Sequence, residues 1–201
     1  MLGLPKTTEL KKQLPKNAIY AKFQMNMVAK EKIDTDISRI TIVNEVTAEK
    51  INVDKGEEVT SFFVMYIALK RRDFDEKNII TLSKLIPQKM LMVLEFDGKV
   101  KIAIFHTKLM QTDWKEIDSY KLELKGLNLD KVWENIIVQI GDLTIEKGNT
   151  LEQQIVSDDK KHKLLKEIDR LEKMARNEKQ PKKKFEIVQK IKKLNNGLEE
   201  C

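Results

Sequence analysis

Val59-Thr60-Ser61-Phe62-Phe63-Val64-Met65-Tyr66-Ile67-Ala68-Leu69 is an apolar run with hardly any polar alternation. A strand apolar on both faces has to be covered on both faces, so this run is expected in the middle of a sheet. The chain that follows, as far as His106, supports that placement. Asp73 or Asp75 is suited to cap a helix whose inward stripe is Ile79, Ile80, Leu82, Leu85 and Ile86, ended by Pro87. Met90 to Phe96 and Lys99 to Phe105 then flank Asp97-Gly98, the dipeptide that favours a tight hairpin. Strand, helix and β-hairpin follow one another, and the other segments lead into this unit or pack onto it.

Upstream, residues 4–17 (LPKTTELKKQLPKN) are basic and bracketed by Pro5 and Pro15, which suits an extended arm or one short helix. Asn17 to Phe23 reads as a short strand or turn. Met27, Ile33, Ile37 and Ile40 approach helical spacing, giving a helix from about Val28 to Ser38 and then a strand from Ile40 to Val46. Gly56-Glu57-Glu58 is a turn. Downstream, Thr107 to Ser119 is expected to be a loop holding Trp114, and Tyr120 to Leu124 a further strand. Asn128 caps a helix with Leu129, Val132, Trp133, Ile136, Ile137 and Ile140 on one face, closing near Gly141. The fold class expected is α+β, a mostly antiparallel sheet with packed helices.

The tail is periodic. Leu164, Ile168, Leu171 and Ala175 step by four, three and four residues, and so do Ile187, Ile191, Leu194 and Leu198. Paired antiparallel, the two seams are in mirror register about Pro181, a residue that breaks helices. That symmetry argues for an antiparallel helical hairpin, because one long helix leaves both seams unburied. Each seam covers only about two heptads, too short for an extended coiled coil. The division expected is an α+β body over 1–145 and a basic C-terminal helical hairpin over 146–201.

Composition agrees. The 201 residues are 41% hydrophobic and 35% charged, a globular chain with a heavy charge load. The net charge of +6 is unevenly placed: Lys160 to Lys193 holds 14 Lys/Arg against 5 Asp/Glu, while the rest of the chain is slightly acidic. A basic arm on a near-neutral body fits a nucleic-acid, acidic-protein or membrane-surface partner, or simply a solvated Lys-rich face. Cys201 is the only cysteine, so the fold uses no intramolecular disulfide. The start, Met1-Leu2-Gly3-Leu4-Pro5-Lys6, lacks the apolar centre of a signal peptide, no apolar run has membrane-spanning length, and a cytoplasmic location is expected.

Chemistry is harder to find. A metal-dependent nuclease needs an Asp and an acidic-x-Lys on an adjacent strand. Asp75-Glu76-Lys77, Asp97-Gly98-Lys99 and Glu123-Leu124-Lys125 carry that spacing. The first belongs at a helix start, where carboxylates complement the dipole, and the second is the hairpin turn. Glu123 and Lys125, with Asp113 or Asp118 upstream, form the remaining candidate. His106 and His162 have no partners at ligand spacing, which argues against zinc. The seven glycines are isolated and build no phosphate loop. No nucleophile motif is legible, although triads assemble in space. No cofactor or small-molecule substrate is therefore expected. Met65, Met90 and Met92 read as core filler, Trp133 as core, and Trp114 as the better exposed contact.

Two basic clusters remain as candidate contacts to nucleic acid or a partner: Lys70, Arg71 and Arg72 after the central strand, and Lys179, Lys182, Lys183 and Lys184 at the bend of the hairpin. Phosphate contact would make binding fall steeply with salt. Strand-end solvation and a soluble hairpin tip are the alternatives. Aromatic residues do not interleave with these lysines apart from Phe185, which gives little support to base stacking.

The opening LPKTTELKKQLPKNAIYAKF, the segment DISRITIVNEVTAEKINVDKGEEV, the helix KGLNLDKVWENIIVQI and the Lys-rich tail together resemble a bacterial domain-of-unknown-function family, the DUF4391 type, over nearly the whole chain. No catalytic motif comes with the resemblance. It implies association with helicases and DNA methyltransferases of restriction-like, antiphage systems, and the tip NEKQPKKKFEIVQKIKKL is similar to hairpins appended to such subunits. The expectation is a non-enzymatic accessory subunit that docks on a helicase or methyltransferase and contacts that partner or DNA. A metal-dependent nuclease and a stand-alone nucleic-acid binder are the alternatives.

Overall fold

The computed structural model describes residues 2–199; Cys201 lies outside them. The chain forms two compact units, 1–143 and 144–201.

The first unit is an α+β sheet domain. After a 3-10 turn at Lys6–Thr8 come β1 (Glu9–Leu14), α1 (Lys16–Lys22), α2 (Met27–Asp36), β2 (Ile37–Thr47), the one-turn α3 (Ala48–Ile51), β3 (Ser61–Leu69), α4 (Glu76–Leu85), β4 (Lys89–Phe96), β5 (Lys99–Phe105), β6 (Leu109–Gln111), β7 (Lys115–Glu116) and α5 (Leu129–Gly141). The strands form one sheet in the order β1-β2-β3-β4-β5-β6, with β7 also on β5. Every pairing is antiparallel except β3 with β4, which α4 connects as a crossover.

The apolar run at 59–69 is therefore an interior strand, between β2 and β4. Its alternation sorts two cores. Met65 and Ile67, with Met92 and Leu94 of β4, meet Ile19 and Tyr20 of α1, Ile33 of α2, and Ile79 and Leu82 of α4. Phe62 points to the opposite face and meets Trp133 of α5 at 5.0 Å between ring centroids. Five consecutive residues of β4, Met90 to Leu94, are buried, as a strand covered on both faces requires. Asp97 and Gly98 both take positive φ, 51° and 75°, the turn geometry that matches strand twist.

The caps fall where the sequence puts them. Asp75 accepts from the Lys77 N–H and Asn128 from the Lys131 N–H. Other segments differ from expectation. Residues 16–22 are a helix rather than a strand or turn, because Pro15 serves as the N-cap and the helix buries Ile19 and Tyr20 on adjacent positions. Residues 9–14, within the segment expected as an extended arm or one short helix, are extended and pair with β2 as an edge strand. Ile37 and Ser38 leave the helix for β2, which starts as soon as Asp36 is buried. The loop expected over 107–119 holds β6 and β7, and the strand expected at 120–124 is irregular backbone. There Leu122 N–H donates to the Leu2 carbonyl and Glu123 N–H to the Gln139 side chain, so these bonds replace a ladder.

The second unit holds α6 (Leu151–Asn177) and α7 (Pro181–Glu199). Thr150 and Gln153 close a capping box at the start of α6. The two helices pack together, and the seam is the one written in the sequence. Ile168, Leu171 and Ala175 are buried, and Leu164, Ile187, Ile191, Leu194 and Leu198 are half-buried. Only Glu178, Lys179 and Gln180 separate the helices. Pro181 is the first residue of α7, where its missing N–H has no partner to lose.

Candidate functional site

The hairpin bend concentrates unbalanced charge. Four cations of α6 are balanced on their own helix: Lys163 by Asp159, Arg170 by Glu167, Lys173 by Asp169 and Arg176 by Glu172. Lys179, Lys182, Lys183 and Lys184 are exposed, and none is ion-paired among the described residues. The last three occupy the first turn of α7, which contains no acidic residue. Cations there oppose the helix dipole, so local structure does not account for them. Phe185 beside them is 64% exposed.

The second basic cluster is tied into the body. Lys70 donates its N–H to the Asp36 carbonyl at 2.7 Å and its Nζ to the Asp34 carbonyl at 2.5 Å. Arg71 Nε donates to the Asp36 carboxylate at 2.5 Å. That carboxylate is fully buried and also accepts from the Asp75 N–H at 2.8 Å and from Asn78 Nδ2 at 2.6 Å. Burial pushes the Asp36 pKa up; the Asp75 N–H, the Arg71 and Asn78 hydrogen bonds and the Arg71 charge outweigh it and hold it below the ordinary carboxylate value. Asp36 thus fastens the end of α2 to the end of β3 and the start of α4.

Arg72 has a different neighbour. Its guanidinium lies 6.0 Å from the centre of the Trp114 ring, Lys101 Nζ lies 5.6 Å from it, and Phe74 meets it edge-on at 6.5 Å. Trp114 is half-buried against the α1–α2–α4 side of the core rather than displayed as a free contact. The cluster draws on β5, the β3–α4 loop and the β6–β7 connection, so no local sequence window contains it.

The acidic-x-Lys segments serve structure. Asp75 caps α4, and Asp97-Gly98 is the β4–β5 turn. Glu123 and Lys125 pair with each other on open surface, 61% and 69% exposed, and Asp113 and Asp118 are exposed. Among the described residues no three His, Cys, Asp or Glu side chains gather as a metal-holding group. The carboxylate with the richest partner set after Asp36 is Asp130, which accepts the backbone N–H groups of Glu57 and Val59 at 2.7 Å and of Glu58 at 3.2 Å. It clamps the turn before β3 to α5 and, like Asp36, serves the fold.

These features define a two-unit α+β protein whose strongest polar constellations hold secondary elements together and which carries a cluster of uncompensated charge at the bend of a helical hairpin. The chain belongs to the DUF4391 family, a domain of unknown function, whose family model matches residues 2–198. No curated protein and no solved structure matches it. Among the described residues no helix is long and apolar enough to cross a membrane.

Proposed function

We propose that the protein is a non-enzymatic accessory subunit of a bacterial DNA-processing assembly of the restriction-like, antiphage kind, docking on a helicase or methyltransferase and contacting DNA or that partner through its hairpin. One observation carries the reading. Four lysines at the bend have no ion pair among the described residues, whereas the α6 cations nearest the bend, Arg170, Lys173 and Arg176, are paired with acids one turn away. A phosphate backbone or an acidic protein surface supplies the missing counter-charge. Arg71 is a weaker contact candidate than the sequence implies, since its Nε serves Asp36. A metal-dependent nuclease gains no support from the placement of Glu123, Lys125, Asp113 and Asp118.

The test replaces Lys182, Lys183 and Lys184 by Glu in the full chain. Binding to duplex DNA should weaken by at least tenfold at low salt, and the slope of affinity against salt should become shallower by about one for each phosphate no longer neutralised. Retention by DNA at wild-type strength would remove the phosphate contact. Co-purification of a helicase or methyltransferase with the wild type but not the triple variant would assign the bend to the protein partner.

A further inference from the structure

An open cavity of about 350 Å³ lies on the sheet face that packs against α1. Its floor includes Ile42 of β2, Phe63 of β3 and Met90 of β4, and Ile19 of α1 and Phe23, the residue that caps α1, form one wall. The volume falls in the range of roughly 300–1,000 Å³ usual for small-molecule sites. Two cations border this apolar hollow, Lys12 from β1 and Lys22 from α1. Both are exposed, and among the described residues no acidic side chain lines the cavity. Neither lysine is ion-paired among the described residues. Lys22 instead sits 5.5 Å from the centre of the Phe23 ring.

The geometry points to a binding site for a small amphipathic anion: an aliphatic chain or aromatic ring lying on Ile42 and Phe63, with one carboxylate or sulfonate held by Lys12 and Lys22. Ala18, exposed on α1, lines the cavity with no more than a methyl group. An added polypeptide strand fits less well. Although β1 is the sheet edge, it carries Lys11 and Lys12, and its register breaks between Glu9 and Lys12 with Lys11 at φ 51°. Edge lysines and a bulge both oppose strand addition. This site is separate from the hairpin bend and does not rest on the function proposed above.

Anilinonaphthalene sulfonate, an apolar aromatic monoanion that fluoresces when shielded from water, is the probe, used with the full chain. We expect saturable binding of one probe per chain and displacement by dodecanoate, with dodecanol at least tenfold weaker. Ala18→Trp fills the rim from an exposed helical position and should reduce probe affinity at least tenfold while leaving the denaturation midpoint unchanged. The Lys12→Ala, Lys22→Ala double variant should remove the preference for dodecanoate over dodecanol. Equal affinity for the acid and the alcohol in the wild type overturns the proposal. Wild-type discrimination in the double lysine variant also overturns it, whatever Ala18→Trp does to folding. So does tight binding of an apolar peptide with acidic flanks where dodecanoate fails, which would give the groove to a polypeptide.

Discussion

Replacing Asp36 by Asn keeps the shape of a fully buried side chain and removes its charge. The native carboxylate accepts from Arg71 Nε, the Asp75 N–H and Asn78 Nδ2. An amide offers one acceptor oxygen and turns the other position into a donor that faces donors. Arg71, 51% exposed along its side chain, regains water. Asn78 Nδ2 keeps its bond to the Lys32 carbonyl at 3.0 Å. The Asp75 N–H and Asn78 Nδ2 share Oδ2, so an amide oxygen there keeps both as neutral bonds, while the new amide nitrogen, buried, faces the Arg71 guanidinium with no acceptor. A buried donor left unpaired costs about 1–3 kcal/mol, and charge-assisted bonds are worth about 1 kcal/mol more than neutral ones. Together these predict a loss of about 3 kcal/mol, a large share of a typical domain stability of about 5–15 kcal/mol. Trp114 and Trp133 both lie in the body, so urea unfolding followed by tryptophan fluorescence reads that unit. With a slope of about 1.5 kcal/mol per M, the midpoint should fall by about 2 M. The folded pKa of Asp36 lies below its ordinary value, so its contribution is present above the unfolded pKa and disappears as pH falls through the folded one. The gap between wild type and variant should therefore be full at pH 7 and close in strong acid. A midpoint shift below about 0.3 M at pH 7, or a gap that is the same at neutral pH and in strong acid, refutes the assignment of Asp36 as the charged hub.

Asp130→Asn should cost about 2 kcal/mol at pH 7, since its carboxylate accepts three backbone N–H groups. Those bonds prevail over burial and hold its pKa below the ordinary value, so in a pH series of urea midpoints this gap too should narrow only in acid, below the unfolded pKa. Gly56→Ala should loosen the same clamp, because a Cβ there would run into Asp130 Oδ1 and lie 2.7 Å from the Val59 carbonyl oxygen. Thermal unfolding should show a loss of about 1–3 kcal/mol. On the hairpin, Leu171→Ala should cost about 2 kcal/mol and speed tryptic cleavage within α6 and α7, whereas Met174→Ala, at a 46% exposed position, should leave the cleavage rate near wild type.

The elements that periodicity and turn chemistry control were readable from residue order. Asp97-Gly98 carries its own turn geometry, Asn128 and Asp75 their own caps, and the hairpin seam its own mirror symmetry. Elements decided by distant partners were not. Residues 9–14 become a strand because β2 offers an edge, and 120–124 do not because Gln139 and Leu2 take backbone donors and acceptors that a ladder would use. The same division holds for the surface. The lysines of the bend are contiguous in sequence and visible there. The commitment of Arg71 to Asp36, the gathering of Arg72 and Lys101 at Trp114, and the Lys12–Lys22 mouth each join residues far apart in sequence or on different elements, and composition carries no trace of such meetings.

From β1 to β6 the order of strands across the sheet is the order of strands along the chain, and β7 returns to β5. None of the first six has to be threaded between two already paired, so each one leaving the ribosome can join the growing edge left by its predecessor. Two joinings cost more than the rest: β1 to β2, across the connection that holds α1 and α2, and β3 to β4, across the α4 crossover, while the β4–β5 pair needs only a two-residue turn. Loop-closure entropy makes those two the slower events. Synthesis from the N-terminus therefore meets a pause at each, the second leaving β3 as a temporarily open rim.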